Sequence, residues 1–399
     1  MIEVEDAQQR IISAITPAAP ETVPLRAALD RVLAQNIIAP ISLPAFDNSA
    51  MDGYAVQAAD VLDVGPNTPA RLHCVGSVPA GSVYPKTLQP QTCIRTFTGS
   101  PLPAGADAVV MQEDTRADGA FIAVLDAVTP WENVRLAGED VKRGEIVARA
   151  GERLRVPGLA LLGALGVALV AVARRPVLGI LSTGNELVEA GVLLTPGKIY
   201  ESNRAMIAAL VAQTGAAPRC YPIVRDTLED TRSALEHAFA ECDAVITTGG
   251  VSVGEHDLVK AAFESLGGTL EFWKVSMRPG KPFAFGWCAG KAFFGLPGNP
   301  VSALVTFLML VRPALLRMQG AVELGLPTHP GVLSEPLHNR GGRRHFVRVS
   351  VDGTGQVQGA GLQASHALSS LARSNGLVDM PPESHWPAGK AVPVLRWEF

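Results

Sequence analysis

Short apolar runs alternate with stretches of helical periodicity between residues 176 and 322. The run at 244–247 is apolar and β-branched, which predicts a strand buried on both faces. A strand that leads into a turn and an acid is predicted at 177–187, and a further strand at 219–226. Helices are predicted at 202–213, 227–240, 259–265 and 301–318. This alternation predicts a three-layer α/β domain with a mainly parallel sheet.

The rest of the chain has a different pattern. Residues 46–138 hold short alternating runs split by turns, which predicts an inserted β-rich domain. The flanking residues 1–45 and 139–175 lack this pattern and are predicted to form an elongated linker domain together. Residues 323–399 are β-like again and predict a small C-terminal β-barrel.

Two helices are predicted in the first part of the linker domain, at residues 1–17 and 25–34. Residues 156–173 carry no charge and are almost long enough for a membrane span. Pro157 and several glycines interrupt this stretch, and its last part alternates like a strand. A short helix followed by a strand is therefore predicted, and no membrane partner is expected.

Composition narrows the class of protein. The 399 residues are 47% hydrophobic and 18% charged, as in soluble globular proteins, and the net charge is −4. Because no global positive field is present, nucleic acid is not an expected partner. The five cysteines form no C-x-x-C pair, and the N-terminus lacks the layout of a secretion signal. A cytoplasmic location is expected.

A glycine-rich loop follows the predicted buried strand. Gly249, Gly250 and Ser252 come before the acidic segment that ends at Asp257. Two glycines at the carboxyl end of a parallel strand let backbone N–H groups surround an anion, because no Cβ blocks the approach. A tight connection between two elements explains the glycines equally well on this ground alone.

Three acidic residues fall at the ends of predicted strands. They are Glu186, Asp226 and Asp257, and the carboxyl ends of parallel strands share one edge of the sheet. Asp226 taken alone is also explained as a helix cap before Thr227. Three acids at one edge, beside a diglycine loop, favour binding of Mg²⁺ and phosphate over capping.

Positive charge is predicted to meet these acids. Lys274, Arg278 and Lys281 lie in a segment stiffened by prolines, although a solvated loop with ordinary charges is the alternative. The turn from Pro297 to Pro300 opens a helix, and a helix N-terminus is itself an anion site.

Several motifs in this order resemble one family. They are MDGYA at 51–55, TGSPLPAGADAVV at 98–110, GEDV at 138–141, STGNEL at 182–187, TTGGVSVGEHD at 247–257, MRPGKP at 277–282 and LPGNPVSA at 296–303. Together they resemble the molybdopterin molybdenumtransferases (MoeA and the E domain of gephyrin) over nearly the whole chain. The four-domain plan of that family agrees with the plan predicted above.

The resemblance implies the last step of molybdenum cofactor synthesis. Adenylated molybdopterin and molybdate are the implied substrates, the metal enters the dithiolene, and AMP leaves. Mg²⁺ is the implied cofactor, since the substrate contains a phosphoanhydride. The family also implies a homodimer whose cleft is shared between subunits, and the adenylyltransferase of the preceding step is a candidate partner.

The resemblance also implies roles for individual residues. Glu186, Asp226 and Asp257 resemble the acids that bind Mg²⁺ or position water. Lys274, Arg278 and Lys281 resemble the anion-binding cations. Asp52, Thr98 and Asp140 resemble active-site residues. In the family, the β-rich domain that carries Asp52 and Thr98 reaches the cleft of the other subunit.

Two residues near the C-terminus resemble the molybdate pocket of the family. They are Arg348, in the segment FVR, and Ser365, in QASH. A strand residue that makes only local hydrogen bonds is the alternative for each of them. Arg278 stands where some family members have lysine, and its planar guanidinium would hold an oxyanion differently.

Two alternative functions remain at this point. The adenylyltransferase of the preceding step, or another enzyme acting on nucleotide pyrophosphates, would explain residues 176–320 but not MDGYA, GEDV or the C-terminal region. A gephyrin-like scaffold that binds peptides in the dimer cleft is the second alternative. The acids and cations favour catalysis.

Overall fold

The α/β region forms a six-stranded sheet with helices on both faces. A computed structural model of the chain describes residues 1–250 and 258–397. The first four strands are parallel, the fifth runs antiparallel to both of its neighbours, and the predicted buried strand lies in the middle of the sheet. In spatial order its strands are Ala217–Cys220, Val177–Ser182, Ala244–Thr248, Lys291–Leu296, Pro282–Cys288 and Thr269–Lys274. A short parallel pair, Leu187–Val188 and Ile199–Tyr200, lies beside the sheet.

Apolar faces on these elements build two cores, one on each side of the sheet. All five residues of Ala244–Thr248 are buried, so the prediction of a strand covered on both faces is confirmed. Asn203–Gln213, Pro300–Met318 and the N-terminal helix Val4–Ala14 cover one side. The other side is covered by Leu228–Glu241 and Leu258–Ser265.

The helix Pro300–Met318 contains a π-helical turn at Phe307–Val311. This helix has the length and hydropathy of a membrane-spanning segment, but 89% of its apolar window is buried within the fold. Such burial is typical of the central helix of a globular core.

The inserted region is a β-rich domain, as predicted. Its sheet is antiparallel except for one parallel pair, and it encloses its own apolar core. In spatial order its strands are Ala108–Met111, Gly53–Val56, Thr92–Thr96, Ala70–Val78, Phe121–Val124 and Thr115–Asp118. Single 3₁₀ turns lie at Ala58–Asp60 and Gln112–Asp114.

The linker is built from both flanks of the insertion, as predicted. The flanks pair through short strands: Pro20–Pro24 with Leu169–Ala173 and Ile37–Ile38 with Ile146–Ala148. The two ends of the insertion pair in the same way, Asn48–Ser49 with Val134–Arg135. The helix Val156–Ala164 precedes the strand Leu169–Ala173, which confirms the helix-then-strand prediction for residues 156–173.

Two local predictions are wrong. Residues 25–34 form only the 3₁₀ turn Leu25–Ala27, and Asp30 has φ +61°. The apolar side chains Leu25 and Ala28, three residues apart, pack into the linker core without a helix, so their spacing imitates a helical period. The strand predicted at 219–226 lies instead at Ala217–Cys220, ahead of Pro222.

The C-terminal region contains a closed barrel, as predicted. Five strands form the ring: Arg344–Val351, Gln356–Gly359, Thr328–Leu333, Ala391–Arg396 and Gly376–Met380. The short strand Met277–Arg278 joins the barrel beside Arg344–Val351, and thus ties the predicted cation segment to this domain. The remaining elements are the antiparallel pair of Leu337–Asn339 with Ser384–Trp386 and the helix Leu368–Ala372.

Candidate active site

A cleft of about 890 Å³ lies at the carboxyl edge of the parallel sheet. Its lining includes two of the three predicted acids, both predicted glycines and the Pro297–Pro300 turn. These groups come from separate strand ends, which a parallel sheet brings to one edge. Ser252 and Asp257 lie outside the described residues.

The diglycine loop has the geometry that a close backbone approach requires. Gly249 and Gly250 have φ of +89° and +65°. A Cβ on Gly249 would lie 2.9 Å from the Thr183 carbonyl oxygen, and one on Gly250 would lie 2.3 Å from Val259 Cγ2. Both conformation and space therefore demand glycine at these two positions.

Asp226 does not cap the helix that follows it. The N-cap is Thr227, whose hydroxyl accepts a hydrogen bond from Asp230 N at 3.1 Å. The Asp226 carboxylate instead accepts from Asn185 N at 3.0 Å, and Asn185 Oδ1 accepts from Asp226 N at 3.2 Å. This reciprocal pair joins the loops that follow two neighbouring strands, and it holds the Asp226 carboxylate at the cleft beside Glu186.

The donor set at the cleft suits a hard cation in type. Glu186 and Asp226 offer carboxylate oxygens, which Mg²⁺ prefers, and such sites commonly combine one or two protein carboxylates with water and substrate phosphates. Across residues 1–250 and 258–397, no three His, Cys, Asp or Glu side chains form a cluster for a metal. Substrate oxygens or water would therefore have to complete the coordination that these two acids begin.

Sequence reasoning missed Glu201, which also lines the cleft. Its side chain is only 4% exposed and accepts hydrogen bonds from Ser182 Oγ at 3.0 Å and Arg204 N at 2.8 Å. Ser182 Oγ lies 2.8 Å from Thr248 Oγ1, so a polar network runs beneath the strand ends. The only sequence signal was an acid two residues before a helix, which is typical of ordinary capping.

Asn203 ties the helix Asn203–Gln213 to the Pro297–Pro300 turn. Its Nδ2 donates to the Gly298 carbonyl oxygen at 2.7 Å. Its Oδ1 is buried and has no hydrogen-bond partner among the described residues. A buried acceptor without a partner at a cleft wall is a candidate contact for a ligand donor.

A second, smaller cavity of about 420 Å³ adjoins the cleft. It is lined by the predicted Arg278, Lys281 and Ser365, and also by Arg343, which sequence reasoning missed. The two cavities share Pro282, Pro297, Asn299 and His366 as wall residues. Lys274 lines neither cavity in the described part of the chain; its backbone carbonyl accepts from Ile2 N at 3.1 Å.

Arg348 is fully buried behind the smaller cavity. Its Nη2 donates to the carbonyl oxygens of Leu362 and Ala364 at 2.6 and 3.2 Å, and to Ser370 Oγ at 3.1 Å. Its Nε and Nη1 have no partner among the described residues, and burial lowers its pKa. Local hydrogen bonds therefore account for only one of the three guanidinium nitrogens.

Asp52 and Thr98 lie together in the inserted domain. Asp52 Oδ1 accepts from Thr98 N at 2.8 Å and from Thr98 Oγ1 at 2.9 Å, and these bonds lower the Asp52 pKa. Asp140 is exposed, and its backbone N–H donates to the Leu43 carbonyl oxygen. Among the described residues, these three line neither cavity of their own chain.

Comparison with known families covers almost the whole chain. Residues 2–166 match the MoeA N-terminal region (domain I and II), residues 179–317 match a probable molybdopterin binding domain, and residues 330–397 match the MoeA C-terminal region (domain IV).

Full-length relatives carry the same family name. A protein of Mycobacterium tuberculosis named molybdopterin molybdenumtransferase 2 is 40% identical over 389 residues, covering 96% of each chain. A Haemophilus influenzae molybdopterin molybdenumtransferase is 38% identical, covering 99% of this chain and 98% of its own. The crystal structure of a molybdopterin biosynthesis moeA protein from Pyrococcus horikoshii superposes with a TM-score of 0.88 at 32% identity, covering all of both chains.

Proposed function

The chain belongs to the molybdopterin molybdenumtransferase family, and from this we propose that it inserts molybdenum from molybdate into adenylated molybdopterin with release of AMP. One observation carries the residue-level proposal: the larger cleft and the smaller cationic cavity adjoin and share wall residues. Adenylated molybdopterin carries its pyrophosphate between the adenosine and the dithiolene-bearing pterin, so the pyrophosphate and the dithiolene require two such adjoining sites.

We assign the pyrophosphate to the larger cleft. We propose the Gly250 N–H as a donor to phosphate oxygens, at a turn where no Cβ fits, whereas the Gly249 N–H already donates to the Leu296 carbonyl oxygen at 3.2 Å. Pro300, the first residue of the helix Pro300–Met318, lines the same cleft, so the positive end of the helix dipole lies there. The unpartnered Asn203 Oδ1 is a further polar contact for the substrate. The volume of about 890 Å³ lies in the range of ligand-binding pockets.

We assign molybdate to the smaller cavity. Arg278, Lys281 and Arg343 place three cations around it, and Ser365 adds a hydroxyl donor. Arg348 adds positive charge from behind, because a buried guanidinium with unpaired N–H groups attracts an anion strongly in a medium of low dielectric. Lys274 remains a proposed anion-binding residue that would have to reach the site by side-chain movement.

Glu186 and Asp226 are the residues proposed to hold Mg²⁺, with Asp257 proposed as a further ligand. Bound there, Mg²⁺ would neutralise charge on the phosphoanhydride as it is cleaved. The same carboxylates are proposed to orient a water molecule for attack on the phosphoanhydride. Cleavage of that bond releases AMP.

We further propose a homodimer in which Asp52, Thr98 and Asp140 complete the cleft of the partner subunit. Such a dimer would explain why the polar loops that carry Asp52, Thr98 and Asp140 line neither cavity of their own chain among the described residues. The adenylyltransferase of the preceding step is a proposed partner, since its product is the proposed substrate.

A single assay tests the reaction. Purified protein is incubated with adenylated molybdopterin and Mg²⁺, with and without molybdate, and AMP is measured. Molybdate-dependent release of AMP is expected. ATP consumption with metal-free molybdopterin, and no effect of molybdate, would instead support an adenylyltransferase. A gephyrin-like scaffold role is tested separately by pull-down with receptor-type peptides.

A further inference from the structure

A second large cleft lies at the opposite, amino-terminal edge of the parallel sheet. Its volume is about 880 Å³, close to that of the active-site cleft. Its walls come from the linker, from the C-terminal end of the helix Asn203–Gln213, from the middle of Pro300–Met318 and from the end of the barrel strand Ala391–Arg396. The proposed reaction uses no residue of this cleft.

The lining of this cleft is strongly basic. It includes six arginines, and Asp30 is the single carboxylate among the described lining residues. The whole chain has a net charge of −4, so this concentration of positive charge is not a consequence of composition. We call this group the arginine cleft; its arginines are Arg26, Arg153, Arg155, Arg175, Arg312 and Arg396.

Contacts within the cleft orient several guanidinium groups, and among the described lining residues Asp30 is the one carboxylate that pairs with Arg153 and Arg155. Asp30 Oδ1 lies 2.7 Å from Arg155 Nη1 and 3.6 Å from Arg153 Nε. Arg153 otherwise donates to the carbonyl oxygens of Asp30 and Gln213, both at 3.0 Å. Arg312 Nη1 donates to two loop carbonyl oxygens at 2.9 Å. Carbonyl oxygens satisfy N–H groups but carry no net charge.

The arginines also repel one another. Burial, and then the charges of Arg153 and Arg155, lower the pKa of Arg312 to about 10. Burial and then Arg155 lower the pKa of Arg153, which Asp30 opposes. These residues remain charged at neutral pH, so a bound anion would relieve a repulsion that exists in the free protein.

We propose that the arginine cleft binds an oligophosphate anion, such as a nucleoside triphosphate or inorganic polyphosphate, at a site separate from the active site. Several guanidinium forks around one cavity match the paired oxygens of successive phosphates, whereas one carboxylate or orthophosphate would engage only one or two of them. The lining also contains Leu29, which is 41% exposed, and the half-buried Leu326, and these two offer apolar surface to a base.

Calorimetric titration of the full chain with sodium tripolyphosphate, ATP and orthophosphate tests this site. Tripolyphosphate is expected to bind, and orthophosphate more weakly by at least about tenfold. Affinity should fall as salt is raised. If ATP binds more tightly than tripolyphosphate, the ligand of the cleft is a nucleotide. If the two bind equally, the cleft recognises only the phosphate chain. Absence of tripolyphosphate binding at low salt would overturn the proposal.

Matched variants locate the binding. Arg155 and Arg175 are exposed at the cleft mouth, so R155Q/R175Q should fold while weakening tripolyphosphate binding at least about tenfold. R116Q/R232Q removes the same charge at exposed positions elsewhere and should leave binding unchanged. Equal weakening by both pairs would mean nonspecific attraction and contradict the proposal.

Two further controls distinguish binding in the arginine cleft from binding at the active site and from dimer contacts. R278Q, in the smaller cationic cavity at the active site, should leave tripolyphosphate binding intact, so its loss in that variant would place the anion at the active site and overturn the proposal. R155Q/R175Q should retain AMP release and its sedimentation coefficient. A change of oligomeric state in that variant would mean that a second copy of the chain, rather than an oligophosphate, covers the cleft, which would also overturn it.

Discussion

Asp226 and Glu201 show that two acidic residues lining one cleft serve different purposes. Thr227 caps the following helix, so the Asp226 carboxylate is available to the cleft, where its bonds with Asn185 fix it. Glu201 has the opposite character, because its buried carboxylate is already engaged by Ser182 and Arg204. We therefore assign Asp226 to chemistry and Glu201 to positioning of the strand ends.

Replacement of Asp226 by asparagine tests the charge at the cleft. The amide of D226N would retain an oxygen for the Asn185 N–H, so the fold should be kept while a proposed Mg²⁺ ligand is lost. We expect kcat/KM for AMP release to fall about 100-fold or more, and the Mg²⁺ concentration for half-maximal activity to rise. E229Q removes an exposed acid on the first turn of the helix Leu228–Glu241 and should have little effect. Unchanged activity of D226N at low Mg²⁺ would refute the assignment.

His345 is predicted to make stability depend on pH. Burial, then Arg278 and Arg348, lower its pKa from 6.5 to about 4, and both ring nitrogens lack partners among the described residues. Below pH 6.5 the unfolded chain takes up a proton that the folded chain does not. The free energy of unfolding should therefore fall as pH decreases from 6.5 to 4, by about 3 kcal/mol at most.

Thermal unfolding of H345L between about pH 4 and 7 provides the measurement. This variant should show a shallower decline in Tm with acid than the wild type, because it has no imidazole to protonate. H237Q, which removes an exposed histidine from the helix Leu228–Glu241, should follow the wild-type curve. Identical acid slopes for wild type and H345L would contradict this role.

At the scale of elements, the turn after the strand Ala244–Thr248 determines the shape of the cleft. Gly250 has φ +65°, and its position against Val259 leaves no room for a side chain. Alanine there must either displace the helix Leu258–Ser265 or change the turn, and both changes would move the backbone donor assigned to the pyrophosphate.

G250A should therefore lose both stability and substrate affinity. Gly119 provides a matched control, because it has φ +61° and no atom within 4 Å of an added Cβ. G119A should cost about 1–2 kcal/mol, from backbone strain alone. We expect a larger loss for G250A, together with a raised KM, by denaturant unfolding and AMP-release kinetics. Equal losses in the two variants would show that the contact with Val259 is unimportant.

The elements with strong local signals were predictable from sequence. The central strand, the helices of the α/β region and the closed barrel follow from hydrophobic period, and the diglycine loop follows from backbone freedom. Residues 25–34 were misassigned because burial against the linker core imitates helical spacing. Glu201 and the arginine cleft were not predictable, since only the tertiary fold shows what these side chains meet.

At the scale of the whole molecule, the proposed site joins two distant sets of residues. Glu186 and Asp226 line the cleft, whereas Asp52 and Thr98 bond to each other in the inserted domain. The precise domain boundaries, 46–138 for the insertion and 176–322 for the α/β domain, stay predictions. Their functional meaning depends on whether one cleft takes residues from two chains.

Activity of mixed dimers tests this central claim most directly. D52A and D226N are each prepared as inactive proteins, dissociated, mixed in equal amounts and reassociated. If Asp52 acts on the cleft of the partner, each mixed dimer contains one intact site, and random mixing should restore about one quarter of wild-type AMP release. If the mixture stays as inactive as its components although mixed dimers form, the cleft is not shared, and the proposed composite site is contradicted.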